Sequence, residues 1–412
     1  LMGLRGQNAG FPGVAGGPQG GGGVSSGASA PSTAGDSATG DPATPAVPTT
    51  TPDNGTGRAP GGIGPGASVS ADEPQGLPWR IRLDKFVDGQ NYQGETDIVV
   101  RANNSQTSLN EAVALELIGA AGMPTQAAAA ARFSVNGSDQ HLRLVLETPD
   151  DDWYADTVGV SGILYKAEAG GDYSYRGEDA DAYTDVFEIE ANTSSRADDY
   201  APLIAFLKWL NESDDATFAA ELDQWLDIDS FADYLAIQDL VANTDDIDGP
   251  GNNSYLSYDE TTGLFTVISW DQNLAFGGLG AGMGGNGPGQ LPDGVPLPDG
   301  VDPATGFVPP SGLQLPDGMP MPEGMPPGGA AGGGMGGGMG GNVLSKKFTA
   351  NEQFSTLITQ ATTDLRAKLY GSDTATQILN TWTATLQAQA TDLVSADTIA
   401  SESSAIEAYF TP

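Results

Sequence analysis

The chain has 412 residues and sets 16 Lys and Arg against 54 Asp and Glu, a formal charge of −38 at pH 7, with no cysteine and a single histidine. Such a field repels nucleic acid and anionic membrane surfaces, and it favours cations, metals and basic polypeptides as partners. Without cysteine there are no disulfides, thiol nucleophiles or Cys/His zinc sites, so any chemistry rests on carboxylates, amides, hydroxyls, a few lysines and bound metal. The lone His141 falls in the alternating run HLRLVLE and reads as an ordinary strand residue. No apolar run reaches about 18 residues, so no segment reads as a transmembrane helix.

The 58 Gly and 28 Pro gather in two tracts that cannot build a core, which leaves one compact domain of roughly 250 to 280 residues. Residues 1–76 are Gly, Ala, Ser, Thr and Pro and read as a flexible tail or cell-surface stalk. The start at Leu1 reads as what remains beyond a removed export segment or a cloning edge, an expectation of a secreted or surface-associated protein. From Leu77, WRIRLDKFVDG and DIVVRA alternate as strands, and SLNEAVALELIGAAGMP turns helical, with Ser108 and Glu111 spaced as a capping box and Gly122 and Pro124 as a stop.

ARFSVNGSDQHLRLVLE then reads as a hairpin about Asn136-Gly137, and GILYKAE around Lys166 as another strand. Three helical stripes follow from Asp198, the third capped by Asp229 or Ser230. The domain expected over 77–278 and 342–412 is interrupted by a Gly/Pro/Met-rich insertion, 279–341, in which LPDG recurs at irregular spacing. Helix returns from Asn342 to Phe410. Strand-rich followed by helix-rich sequence predicts an α+β fold.

Between the third stripe and the insertion, NTDDIDGPGNNSYLSYDETTGLFTVISWDQNLAFG brings hard oxygen donors to one place. A hairpin turning at Asp259 to Gly263 sets Tyr258 opposite Leu264 and Asn253 opposite Ser269, with Asp271 two residues further on. Strand spacing then lets the Asn253 and Asp271 side chains emerge within roughly 8 Å of each other, with Asp245, Asp246 and Asp248 entering the same end. Oxygen donors of this kind suit Mg²⁺. A solvated Asx-rich turn and a calcium loop are the plainer readings, but an EF-hand register puts Thr244 and Tyr255 where carboxylates are needed. Asp248-x4-Asn253 ahead of Asp271 also follows the order of a protein kinase catalytic-loop Asp and Asn before its metal-binding Asp.

Taken in order, several motifs carry a resemblance. They are the helix ending in Gly-x-Pro, Val135-Asn136-Gly137 leading to Glu147, Gly-x-Leu-Tyr-Lys at 162–166, Trp225 to Phe231, Asn253 before Tyr255-Leu256, and Ile268-Ser269-Trp270-Asp271 with Phe276-Gly277. The run from Glu111 to Phe410 around the insertion resembles the spore-coat protein H (CotH) kinase-like family. The resemblance implies an atypical protein-kinase-like fold, with a small strand-rich lobe and a helical lobe. It also implies ATP with Mg²⁺ or Mn²⁺, and transfer of phosphate to Ser or Thr on extracellular or coat proteins. It places Lys166 on the ATP phosphates, with Glu147, Glu188 or Glu190 as its carboxylate partner. Asp271 and Asn253 become metal ligands, and Asp245 or Asp248 the base or a further ligand. This chain departs from the family at Ser138-Asp139-Gln140-His141, at Arg101-Ala102-Asn103, at Ser269 and at Asn273.

Two other functions stay open at this level. One is a catalytically silent surface or coat protein that keeps the shell while its Gly/Pro tracts mediate assembly. The other is a carboxylate hydrolase acting on sugars. A basic Ser/Thr-bearing protein is the acceptor that the charge favours.

Overall fold

The computed structural model describes residues 74–277 and 342–410, apart from 93, 169, 197–198 and 250–252. Residues 1–73 of the stalk expected over 1–76, and the insertion over 279–341, lie outside the described residues. Pro74–Gly76, at the end of the expected tail, forms a 3-10 turn. The two described stretches belong to one compact unit, and the α+β expectation holds.

The first sheet is antiparallel, in the order β1-β2-β4-β3, with β1 at Trp79–Arg82, β2 at Asp97–Val100, β3 at Ala128–Phe133 and β4 at His141–Glu147. Alternation sets its core face, with Leu142, Leu144 and Leu146 of β4 all buried. Asn136 and Gly137 both take positive φ, as the turn sequence requires, and the Ser138 amide closes the turn on the Val135 carbonyl at 3.0 Å. Strand pairing stops at Phe133 and His141, so the full connection is longer than a tight hairpin. His141 begins β4 and is exposed.

Between β2 and β3 runs α1 (Leu109–Ala121), buried along most of its length. The capping box read from its sequence does not form. Ser108 sits in the left-handed region with no side-chain cap bond, and the Leu109 amide is taken by Thr107 Oγ1 at 3.1 Å. Glu111 points elsewhere, into an ion pair described below. The stop is as expected, with Gly122 at φ 97°.

The second sheet is also antiparallel, in the order β6-β5-β7-β8: β5 Gly162–Ala167, β6 Phe187–Asn192, β7 Ser254–Asp259 and β8 Phe265–Ser269. One face supplies Ile163, Tyr165, Leu256, Phe265 and Val267 to the main core. The other gathers Leu164, Tyr255 and Ile268 with Trp153, Tyr154 and Trp270, beneath the single turn α2 (Asp151–Trp153) and its π-helical continuation, Tyr154–Val158. At the start of β5, a Cβ on Gly162 would lie 1.7 Å from the Tyr258 carbonyl oxygen, so only glycine lets β5 and β7 close here.

In the β7–β8 hairpin Tyr258 pairs with Phe265 and Ser254 with Ser269, one residue away from the register expected from sequence. The cause is the turn: the Asp259 amide bonds the Leu264 carbonyl at 3.0 Å, leaving a four-residue loop that Gly263 closes at φ 77°. The ladder ends at Ser254 and Ser269; counted on in the same register, Asn253 falls level with Trp270, and Asp271 lies one residue beyond.

The helical part comprises α3 (Ala201–Glu212), α4 (Asp215–Glu221), α5 (Ile228–Leu240), α6 (Val343–Ala350), α7 (Glu352–Leu369), α8 (Thr374–Gln389) and α9 (Ala396–Glu407). Asp227, not Asp229 or Ser230, caps α5, its carboxylate accepting the Ser230 amide at 3.0 Å. α5 packs on both α7 and β8, which ties the helices to the hairpin carrying Asp271.

Gly162→Ala is expected to lower unfolding stability by about 3 kcal/mol, because the strands must part to admit one methyl group. Urea denaturation of the two proteins, monitored by far-UV circular dichroism, checks this, and an unchanged midpoint contradicts it.

Candidate active site

Sheet pairing places Lys166, next to the end of β5, between Glu188 on β6 and Tyr255 on β7. Its ammonium lies 2.7 Å from Glu168 Oε1, 3.7 Å from Glu188 Oε2 and 3.8 Å from Glu190 Oε1, and 5.6 Å from the centre of the Trp270 ring. Burial, then the charge of Glu188, pushes the Glu190 carboxyl above its usual value against the pull of Lys166 and Arg80. Glu147 belongs to the first sheet, where it ends β4 and accepts the Ala127 amide at 3.0 Å. The carboxylates gathered on Lys166 thus come from its own strand end and from β6.

Arg101 also approaches the same indole, 6.0 Å from its centre. Its amide continues the β2–β4 ladder to the Leu144 carbonyl at 2.8 Å, which aims the side chain across the end of α1. There Nε sits 2.9 Å from Glu111 Oε1, while a terminal nitrogen donates to Asp271 Oδ1. All three side chains are buried. Burial would lower the Arg101 pKa, but the charges of Asp271 and Glu111 outweigh it and hold the guanidinium above its ordinary value. Burial pushes the Glu111 carboxyl up, Arg101 opposes this and Asp271 adds to it, as expected where one cation serves two carboxylates.

Asp271 takes φ 53°, a left-handed conformation that Asp tolerates better than most residues and that redirects the chain out of β8. The turn after it, Gln272–Gly277, is fixed from α1: Asn110 Nδ2 donates to the Asn273 carbonyl at 2.7 Å and to the Ala275 carbonyl at 3.3 Å. Asn273 is buried in that turn.

The acidic loop divides its work among three carboxylates. Asp246 builds the loop, its Oδ1 accepting the Asp248 amide at 3.1 Å and the Gly249 amide at 3.0 Å. Asp245 faces the hairpin, its Oδ2 accepting Asn253 Nδ2 at 3.0 Å, and Asp248 is exposed to solvent. A buried chain of amides ties this loop to β8: Asn243 Nδ2 donates to Gln238 Oε1 at 2.9 Å, and Gln238 Nε2 to Ser269 Oγ at 2.7 Å. Residues 250–252, which include part of the expected Gly-Pro-Gly turn, lie outside the described residues.

Among the described residues no group of three or more Asp, Glu, His or Cys side chains is arranged to hold a metal by itself. A hollow of about 660 Å³ at the β3–β4 turn, lined by Gln75, Asn136, Asp139 and His141 among others, lies apart from all of these groups. Sequence reasoning passed over Arg101 as a site residue and read Glu111 as a cap. The available signals were a charged residue at a strand end in a lysine- and arginine-poor chain, and an acid within an otherwise apolar helical stripe.

The profile of the family described as CotH kinase protein matches residues 66–408, and the chain belongs to that family. Among curated proteins it is similar to inner spore coat protein H of Bacillus subtilis (strain 168), with 25% identity over 196 residues. The match covers 47% of this chain and 53% of that protein, so it spans about half the length of the relative. No helix among the described residues is long and apolar enough to cross a membrane.

Burial, then the charge of Asp248, pushes the Asp246 carboxyl up to about 7. Since a free Asp titrates near 3.9, the folded chain binds the proton more tightly than the unfolded one, and folding stability falls as pH rises from about 4 to about 7. Asp246→Asn removes this penalty while keeping an acceptor oxygen. The variant should gain on the wild type across that window, by up to about 4 kcal/mol above pH 7, in EDTA-containing urea titrations at a series of pH values. A difference between the two that stays constant with pH contradicts this.

Proposed function

We propose that this chain transfers the γ-phosphate of ATP to Ser or Thr of a protein substrate, with a divalent metal and a kinase-like arrangement of its two sheets and its helices. The observation that supports this best is the convergence of Lys166, Arg101 and Asp271 around Trp270, in a chain where acids outnumber bases 54 to 16. Two buried cations so placed suit a polyanion, and Lys166 is the residue assigned to the ATP phosphates.

Asp271 and Asn253 are the residues that would hold Mg²⁺ or Mn²⁺. They fit: the Asn253 Nδ2 is engaged by Asp245, which leaves the amide oxygen for a cation, and Asp271 gives Arg101 only one of its two oxygens in the contact described. Mg²⁺ commonly takes one or two carboxylates and completes its shell with phosphate and water, so a site without a three-acid cage suits it. When bound, the metal supplies neutralisation of phosphate charge. Asp245, fixed beside Asn253, and the exposed Asp248 are the two candidates for orienting the acceptor hydroxyl and accepting its proton. Positioning and charge complementarity suffice for phosphoryl transfer, which suits a chain without cysteine.

The relative's name places that protein in the spore coat, and the acidity of this chain favours a basic acceptor. We therefore read this chain as acting on, or at, a coat, cell surface or secreted assembly. A silent kinase-like shell is the second reading. It is favoured by the pairing of Lys166 with three glutamates and of Arg101 with two acids, which leaves these cations balanced without nucleotide.

Incubation with γ-labelled ATP, Mn²⁺ and a basic Ser-rich peptide should label the peptide. Asp271→Ala should reduce that transfer by about a hundredfold or more while the protein stays folded. Equal transfer by both proteins removes Asp271 from the mechanism, and the absence of any nucleotide-dependent thermal shift with either metal supports the silent shell. Transfer to the basic peptide should exceed transfer to an acidic one at low salt and converge with it as salt rises, because screening erases the field. Equal rates at low salt contradict the preference.

A further inference from the structure

We infer that Arg101, anchored by Glu111, sets how tightly Asp271 takes a divalent cation, as a fixed counter-ion on the carboxylate that the metal must use. This rests on the metal-centre reading above and adds to it a residue and a direction of effect. Arg101 is held at both ends. Its amide is bonded to Leu144 and its carbonyl accepts Arg143 Nε at 2.8 Å, so the backbone cannot drift, and Glu111 grips the guanidinium at 2.9 Å. The α1 helix carrying Glu111 also fixes the turn after Asp271 through Asn110. A surface lysine would swing aside for a metal at little cost, whereas this arginine stays.

One guanidinium shared by two buried carboxylates leaves the trio with one net negative charge when both acids are ionised, and that excess is what a divalent cation meets. Removing the Glu111 charge leaves Arg101 to neutralise Asp271 alone and weakens the attraction. Removing the Arg101 charge doubles the excess and strengthens it. At buried sites a single charge of this kind is worth about a tenfold change in affinity or more.

The test is titration of Mn²⁺ into the full 412-residue chain, with and without ADP, following the electron paramagnetic resonance signal of free Mn²⁺. Glu111→Gln should raise the Mn²⁺ dissociation constant by about tenfold, and Arg101→Met should lower it by a similar factor. Thermal unfolding in EDTA verifies that both variants fold, and opposite signs cannot come from shared structural damage. If Arg101→Met does not fold, Glu111→Gln alone decides. Wild-type binding that is unchanged in Glu111→Gln, or weakened alike in both variants, overturns the role given to Arg101 and leaves the metal centre standing. A wild-type chain that binds no Mn²⁺ under either condition overturns the metal-centre reading together with this inference.

Discussion

A single guanidinium between two buried carboxylates joins the parts on which the site depends. Arg101 comes from the end of β2, Glu111 from the first turns of α1, and Asp271 from the turn after β8. Each charge alone would be costly to bury, and deleting one partner of such a pair typically costs about 3 to 5 kcal/mol because the others are left uncompensated. The first sheet and α1 are thereby held against the second sheet's hairpin. The same ion pair gives Asp271 a fixed direction despite its left-handed backbone.

Support for this trio comes from distant parts of the chain. Glu402 of α9 accepts the Gln106 amide at 2.9 Å and the Thr107 amide at 3.2 Å, which fixes the loop between Arg101 and α1. Phe276, five residues past Asp271, packs its ring against Tyr409 and Phe410 at 5.5 and 5.9 Å. The residues after the insertion thus complete the setting of residues before it. On the other side, Gln238 and Asn243 connect the acidic loop to β8 by hydrogen bonds between side chains that are buried and satisfied, an arrangement that favours one geometry over many.

Local patterns carried much of this into the sequence. The Asn136-Gly137 turn, the helical stripes, the strand around Lys166 and the hairpin before Asp271 are short-range features, set by backbone conformation and by alternation of apolar side chains. The register of β7 against β8 was misread by one residue because it depends on how many residues the turn spans, which the run Asp259 to Leu264 does not announce. Glu111 was misread as a cap because its true partner precedes it by ten residues, outside the helix, and its further neighbour follows 170 residues after Arg101. An ion pair of that separation leaves no periodic trace. Glu147 entered through the resemblance, as the residue to which the Val135-Asn136-Gly137 turn leads, but its sheet is not the one that carries Lys166. Lys166 takes its carboxylates from Glu168, Glu188 and Glu190.

The central claim is that Asp271, backed by Arg101, is where a divalent cation meets the nucleotide. Crystals grown with Mn²⁺ and a non-hydrolysable ATP analogue, with the metal located by anomalous scattering, test it most directly. The account predicts a manganese peak within about 2.5 Å of an Asp271 carboxylate oxygen, with analogue phosphates between it and Lys166. A peak confined to the Asp246–Asp248 turn, or bound nucleotide with no metal at Asp271, would contradict it.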